Sequence, residues 1–329
     1  MGEELALIPV KPEVSAKYRS FLPSVFISAA LPLRDVKRTV FERRYNNITL
    51  RLTSGVKVPF GKYGRLLLSV LTTHAVVSKN NLNNDGTVTI RFATMQGLLD
   101  ELQLPKQRSG DIKEQLACFA NSSFIYEERR SRVVQKKLFP EFFAADDPGD
   151  VTATKVTTGI IPFIDTFQYI ELDDAAKKDK RSLAFTIVLD KKFIQLCKEH
   201  SVPIDYSVYR RITSPLGKDL YAWLVYRNNY EIGDEGLFIS RPALVQQFMP
   251  VTEKSNPDQE RTNFVYIKEQ INIIKEKYYP GLRVSFGKNN FGFTLYKSPQ
   301  IMAPKDERYI LVTSELGSAG GLVPRSSRS

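Results

Sequence analysis

The sequence predicts an α+β fold of two tandem winged helix-turn-helix domains that are related by an internal repeat. The first observation is the stretch 262–279 (TNFVYIKEQINIIKEKYY), whose apolar residues recur every three or four positions, as on one helix face. A shorter helical stretch (LFISRPALVQQFMP) precedes it, and a hairpin pattern (LRVSFGKNNFGFTLY) follows it. This is the order of a winged helix, whose second helix reads DNA. The second observation is that the first half of the chain repeats this order.

Length, composition and charge limit the class of protein. The chain has 329 residues, which allow about two domains with their own cores. Its hydrophobic content of 42% and charged content of 25% are typical of a soluble globular protein. The net charge of +11 favours a polyanionic partner, nucleic acid before an anionic membrane. There is no secretory signal and no apolar run of membrane-spanning length, so we expect a cytoplasmic protein without membrane contact.

The first half contains three predicted helices with strands around them. The stretch 59–78 predicts a long helix, Thr94 is expected to cap a helix at 95–102, and a polar turn at 106–110 leads into a third helix at 111–120. We expect strands at 41–52, at 87–92 and within 124–172. The Pro-rich residues 1–38 predict a loosely packed arm.

The second half follows a charged linker, DDAAKKDKR. Its predicted elements are a strand at 183–189, helices at 191–200 and 204–212, and a long helix at 214–230. Two short motifs recur between the halves at nearly the same offset. PFGK and PLGK open the two long helices, and IKEQL and IKEQI lie in the two third helices. The repeat supports tandem domains of one design.

These patterns divide the chain into six expected segments. They are an N-terminal arm (1–38), a first winged-helix domain for dimerisation and DNA contact (39–172), a linker (173–182), a second winged-helix domain as the main DNA reader (183–300), a C-terminal tail (301–316) and an expression-vector remnant containing LVPR (317–329).

Candidate DNA-contacting residues in the second half lie on the polar side of the third helix and at the tip of the hairpin. Asn pairs with adenine, Arg pairs with guanine, and Val or the methyl group of Thr contacts a thymine methyl group. Lysines beside the helix are expected to contact phosphates. The residues are Arg261, Thr262, Asn263, Val265, Tyr266, Lys268, Glu269, Asn272, Lys275, Lys254, Lys288 and Asn289.

The matching residues of the first half lie before and on its third helix and in the basic run after it. They are Lys106, Gln107, Arg108, Lys113, Arg129, Arg130 and Arg132. Taken singly, each Lys or Arg is more simply a solvated surface charge, whereas the sets together indicate an interface.

Enzymatic functions find little support in the sequence. There is no Walker-type loop for ATP, and the two histidines, His74 and His200, are isolated, which speaks against a His-based metal nuclease. Cys118 and Cys197 lie in apolar helical contexts and indicate reduced core thiols. We expect no catalytic residue, no metal site and no cofactor, although a tyrosine nucleophile for strand nicking stays open.

The chain resembles the plasmid-encoded RepA-type replication initiators. The resemblance is carried by VPFGKYGRLLLSVLTTHAV, HSVPIDYSVYRRI and SPLGKDLYAWLVYR, and it covers residues 56–286. It implies paired winged helices that bind repeated double-stranded DNA sites at a plasmid origin, help open the origin and recruit host replication proteins such as the helicase or its loader. It also implies a homodimer and a nucleoid- or plasmid-associated location.

Three other functions stay open at this point. A transcription repressor could be built from the same two domains, and the residues alone do not separate it from an initiator. An origin-nicking nuclease or relaxase would cut a strand, and a structural scaffold would carry its positive charge incidentally. Nicking assays and competitive DNA binding distinguish these functions.

Overall fold

A computed structural model describes residues 17–45, 48–78, 82–135, 150–169, 184–249, 256–287, 290–301 and 309–311. The helices are α1 (Ser24–Ser28), α2 (Gly61–Val77), α3 (Met95–Glu101), α4 (Ser109–Ala120), α5 (Lys191–His200), α6 (Tyr206–Tyr209), α7 (Pro215–Tyr230), α8 (Arg241–Phe248) and α9 (Pro257–Ile273). The strands are β1 (Lys17–Pro23), β2 (Val40–Tyr45), β3 (Ile48–Ser54), β4 (Val88–Phe92), β5 (Ser122–Gln135), β6 (Asp150–Pro162), β7 (Ile164–Tyr169), β8 (Phe185–Leu189), β9 (Ser201–Asp205), β10 (Leu237–Ser240), β11 (Arg283–Phe286), β12 (Gly292–Tyr296) and β13 (Tyr309–Leu311).

Both halves follow the winged-helix order, so the predicted fold class is confirmed. The first half runs α2, β4, α3, α4 and then the hairpin β5–β6; the second runs α7, β10, α8, α9 and then the hairpin β11–β12. In the second half the strands form one antiparallel sheet in the order β10-β12-β11. Phe293 and Leu295 of β12 are fully buried, whereas Tyr296 is exposed, which is the alternation of a strand with one face on the core.

Local sequence signals explain where the helices of the second half begin. Ser214, Ser240 and Asn256 are the N-caps of α7, α8 and α9, and each side chain accepts a hydrogen bond from a backbone N–H of the first turn. A proline follows each cap within two residues, where its missing N–H costs no helical hydrogen bond. In the first half, Thr94 caps α3 as predicted, by accepting from Gly97 N at 3.1 Å.

The strands of the first half depart from the predicted arrangement. The expected strand at 41–52 is the pair β2 and β3, which extends the hairpin β5–β6 into a four-stranded sheet of order β2-β3-β5-β6. The strand β4 pairs with β8, and β8 pairs with β7. The strand β8, which lies at the start of the expected second domain, thus pairs with strands of the expected first domain.

The N-terminal segment is more closely packed than expected. Residues 1–16 lie outside the described part of the chain, but from Lys17 onward the segment forms β1 and α1. The strand β1 pairs with β9 and with β13, which lies in the expected tail. Leu22, Phe26 and Ile27 are buried, so residues 17–31 belong to the core and not to a loose arm. The same pairing turns the first part of the expected helix at 204–212 into β9, and only α6 remains helical.

A buried ion pair joins the first helices of the two repeats. Arg65 of α2 donates from Nε and Nη2 to the two carboxylate oxygens of Asp219 of α7, both at 2.6 Å. Nη1 donates to the carbonyl oxygens of Pro32 and Gly61, and Nη2 also donates to that of Leu31. All five guanidinium N–H donors therefore have acceptors, which a buried arginine requires.

Two further buried cations lie close to this pair. Arg43 of β2 donates to the carbonyl oxygen of Gln247 in α8 at 2.8 Å, and Gln247 donates to the carbonyl oxygen of Ser28 at 3.1 Å. Burial lowers the pKa of Arg43 to about 10. Lys218 donates to the carbonyl oxygen of Tyr209, and burial lowers its pKa well below the usual value. Polar contacts thus hold α1, α2, α7, α8 and β2 together at the junction of the halves.

Replacing Asp219 with Ala is expected to lower the free energy of unfolding by about 3–5 kcal/mol, because it leaves the Arg65 guanidinium buried without a counter-charge. Urea denaturation measures the change. The matched control is Asp258→Ala, which removes an exposed carboxylate 3.7 Å from Arg261 and should cost less than about 1 kcal/mol. Equal losses in the two variants would contradict a structural role for the buried pair.

Candidate nucleic-acid interface

The third helix of the second half, α9, begins earlier than predicted. The expected helix covered 262–279, but α9 begins at Pro257, after Asn256 caps Gln259 N at 2.8 Å. A π-helical turn, Ile274–Tyr278, extends it to one residue before the predicted end at 279. Phe264, Ile267 and Ile271 form its buried face, as the periodicity predicts. The first turn is therefore Pro257–Glu260, and Arg261, Thr262 and Asn263 lie in the second turn, not at the helix start.

The opposite face of α9 carries the predicted contact residues. Those with exposed side chains are Arg261, Thr262, Val265, Tyr266 and Glu269, together with Lys275 of the π-helical turn, and those that are half-buried are Asn263, Lys268 and Asn272. Asn263 Oδ1 accepts from Gln259 Nε2 at 3.1 Å, so these two amides form a pair on the helix surface. Gln259 lies in the first turn, which enters deepest into a major groove, and an amide side chain suits adenine.

The hairpin of the second half is attached to α9 by two cations. Lys268 Nζ donates to Asn290 Oδ1 at 3.3 Å. Arg241, the first residue of α8, donates to Glu260 Oε1 at 2.6 Å and to the carbonyl oxygen of Asn290 at 3.4 Å. These contacts place the wing beside the first turn of α9. Arg241 also neutralises an acid that would otherwise repel phosphate at that end.

The first half presents a second exposed set around the start of α4. Lys106, Gln107 and Arg108 form an exposed 3₁₀ turn before α4, and Lys113 is exposed one helical turn into it. The Arg108 guanidinium lies 5.8 Å from the centre of the Tyr63 ring, and Lys62 Nζ lies 4.9 Å from it. The structure therefore adds Lys62 and Tyr63 to the predicted residues of this surface.

An acidic residue on α4 is balanced by a lysine from outside the helix. Lys57 Nζ donates to Glu114 and, at 3.2 Å, to Asp35 Oδ2. The hydrogen bond to Glu114 is the main cause that raises the pKa of Lys57. With Glu114 paired in this way, Lys106 and Lys113 leave the exposed surface at the start of α4 with a net positive charge.

Some predicted residues have no described side chain. Arg129, Arg130 and Arg132 lie in β5, opposite Val156, Lys155 and Ala153 of β6, and only their backbone positions are described. Lys254, Lys288 and Asn289 fall outside the described residues. The wing predicted at 288–290 is therefore described at Asn290 and, beyond it, at Phe291.

The additional residues of this surface differ in how far local sequence signals indicate them. Gln259 follows Asn256 and Pro257, which together are a helix-start signal, so a stricter use of that signal would have placed Gln259 in the first turn. Arg241 pairs with Glu260, nineteen positions along the chain, and no local pattern announces such a contact. For Phe291 the sequence pattern indicates only a place in the hairpin.

The structure also shows the surroundings of the residues that could bind a metal ion or act as nucleophiles. No group of three or more His, Cys, Asp or Glu side chains suited to a metal ion occurs among the described residues. His74 Nε2 lies 2.6 Å from Glu101 Oε1 within the helical core of the first half. Cys118 and Cys197 are buried free thiols, and burial raises the pKa of Cys118 to about 11. Within the described ranges, no helix is both long and apolar enough to cross a membrane.

Comparisons with known proteins find similarity at the level of solved structures. No protein-family model and no curated protein sequence matches the chain. A structure of domains 2 and 3 of RctB (selenomethionine derivative) is 10% identical, with 82% of this chain and 94% of that chain covered and a TM-score of 0.48. A second structure of RctB domains 2–3 is 9% identical, with 82% and 94% covered and a TM-score of 0.42.

The third similar structure is the Pi initiator protein in complex with iteron DNA. It is 12% identical, with 85% of this chain and 97% of that chain covered and a TM-score of 0.44. A replication initiator is thus among the proteins to which this chain is similar, in line with the sequence resemblance. Similarity of this degree carries no conclusion about function, which depends on the residues of this chain.

Proposed function

We propose that this protein binds double-stranded DNA site-specifically through both winged helices and acts as a plasmid replication initiator. The observation that carries the proposal is the second-half surface: the polar face of α9 is exposed, and the wing is attached beside its first turn by Lys268 and Arg241. This is the arrangement that lets a helix enter the major groove while a wing contacts the adjacent backbone or minor groove.

The proposal includes the steps that the family resemblance implies. The protein binds repeated sites at an origin, helps to open the duplex there and recruits host replication proteins, the helicase or its loader. It needs no cofactor and has no catalytic activity of its own. The repressor is the second candidate, because the same surface would serve it, and the nicking enzyme is the third.

Footprinting on the DNA that flanks the protein's own gene tests the proposal. Protection of several repeated sites supports an initiator, whereas protection of one promoter-overlapping site supports a repressor. Cleavage of supercoiled DNA in the presence of a divalent metal would support the nicking enzyme. No protection anywhere, in the presence of competitor DNA, would contradict site-specific binding.

Asn263→Ala is expected to weaken binding to the protected site by about 1–3 kcal/mol and to leave binding to random DNA nearly unchanged, because an amide reads a base edge. Lys275→Ala should weaken both by a similar factor and lower the salt slope by about one, because an exposed lysine contacts phosphate. Fluorescence anisotropy on both duplexes measures the affinities.

A variant in the buried core distinguishes the loss of a DNA contact from the loss of the folded structure. Ile271→Ala removes a fully buried side chain from the same helix and should cost about 2–5 kcal/mol of stability. If both polar variants bind the protected site like the parent, α9 is not the reading helix, and α4 becomes the candidate.

DNA affinity is expected to fall about a thousandfold or more between about 50 and about 200 mM salt, if about six to ten phosphates are contacted. The reason is counterion release by a protein whose net charge is +11. A salt titration on the protected site measures the slope, and random DNA of equal length gives the non-specific slope for comparison. A DNA affinity that does not change with salt concentration would contradict binding through phosphate contacts.

We further propose that the protein forms a homodimer through a strand of the first half. β6 lies at the edge of the sheet β2-β3-β5-β6, and an edge strand offers backbone groups for pairing. Ile160 of β6 is 58% exposed, so Ile160→Lys places a charge on that edge without disturbing the core.

Ile160→Lys is expected to weaken dimerisation by about tenfold or more, because charged side chains block edge pairing. Sedimentation velocity over a range of concentrations measures the dimer fraction. Val56→Lys, at a comparably exposed position away from this strand, is the control. A parent protein that stays monomeric at every accessible concentration, with and without DNA, would contradict the dimer.

A further inference from the structure

Phe291 is the exposed aromatic residue at the tip of the second wing. It lies between Asn290 and the first residue of β12, and 63% of its surface is exposed. Single exposed apolar residues are common on protein surfaces and carry no meaning by themselves. The surroundings of Phe291 are different, because the backbone on both sides of it is fixed by several independent constraints.

Backbone conformation supplies the first two constraints. Asn290 has a φ of 55°, in the left-handed region that Asn tolerates better than most residues. Gly292 has a φ of 158°, and a Cβ at that position would lie 2.2 Å from the carbonyl oxygen of Ile239 in β10. Only glycine allows so close an approach, so the wing is pressed against β10 immediately after Phe291.

Hydrogen bonds from the backbone and side chain of Arg241 and from the side chain of Lys268 supply the others. Arg241 N donates to the carbonyl oxygen of Phe291 at 2.8 Å, and Arg241 Nη1 donates to that of Asn290 at 3.4 Å. Lys268 of α9 donates to the Asn290 side chain. The Phe291 backbone is therefore held at a fixed position relative to α9, and its ring, whose centre lies 6.0 Å from the Arg241 guanidinium carbon, is largely exposed.

Resting on the proposed function, we propose that Phe291 is a wedge that inserts between two base pairs in the minor groove beside the site read by α9. Apolar side chains in this role unstack a base step and kink the duplex. A wedge residue needs a rigid backbone in order to separate stacked base pairs. The hydrogen bonds of the wing with Arg241 and Lys268 supply this rigidity. Because the backbone is already ordered, insertion costs little further conformational entropy.

The test uses duplexes that the full-length parent protein selects from a random-sequence library. Affinity and the permanganate reactivity of thymines, which reports unstacking, are measured at saturating protein for the parent, Phe291→Ala and Phe291→Leu. Tyr230→Ala, which removes an aromatic side chain that is 52% exposed at the end of α7, is the matched control. Thermal unfolding of each variant verifies the fold.

Phe291→Ala should lose the permanganate-reactive thymines and bind about 5- to 150-fold more weakly. Phe291→Leu should keep the reactive thymines, because leucine also acts as a wedge. Tyr230→Ala should resemble the parent in both measurements. The wedge is overturned, with the proposed function intact, if the parent binds selected duplexes without reactive thymines or if Phe291→Ala keeps them. A parent that selects no duplex overturns the proposed function itself.

Discussion

The buried guanidinium of Arg65 links the first helices of the two halves of this protein. It lies on the first helix of the first repeat, binds a carboxylate on the first helix of the second, and uses its remaining donors on carbonyl groups of the segment before α2 and of α2 itself. A charge removed from water is tolerated only when each donor finds an acceptor. The arrangement of α2, α7 and the N-terminal segment is therefore a condition for burying this one side chain.

The buried pair also explains why the N-terminal segment is part of the core. The carbonyl groups of Leu31 and Pro32 are acceptors for Arg65, so the chain must pass close to the junction before α2 begins. Once there, Phe26 packs against the rings of Phe124 and Phe163, with centroids 5.0 and 5.6 Å away. Proline-rich composition suggests an irregular segment, but an irregular segment can still be buried when its carbonyl groups have partners.

The elements that sequence reasoning predicted well are those whose signals are local. The buried face of α9 and the cap at Thr94 follow from spacing within one or two helical turns. Apart from the start of α9, the errors concern pairings between distant segments. β8 joins β4 across nearly a hundred residues, and β9 joins β1 across a still longer separation. Periodicity gives the face that a strand buries but not its partner, so neither the pairing of β8 with β4 nor the strand β9 within the expected helix at 204–212 could be predicted from sequence.

The same limit applies to the candidate interface. The exposed face of α9 was predictable, because it is the complement of an apolar stripe. The contacts that orient the interface were not, because Arg241 and Glu260, or Lys268 and Asn290, belong to different elements.

The charges on the two third helices differ in a way that the net charge of +11 conceals. On the exposed side of α9, Asp258, Glu269 and Glu276 offset Arg261, Lys275 and Lys277, so this surface is close to neutral. At the start of α4, Glu114 is paired with Lys57 and Asp111 accepts a hydrogen bond from Arg108 at 3.5 Å, so Lys62, Lys106 and Lys113 leave an excess of positive charge. The attraction of positive charges to phosphates does not depend on the base sequence, whereas a polar surface without net charge adds little affinity for random DNA. For the DNA binding that we propose, this distribution of charge would let the first half supply affinity and the amides of α9 supply selectivity.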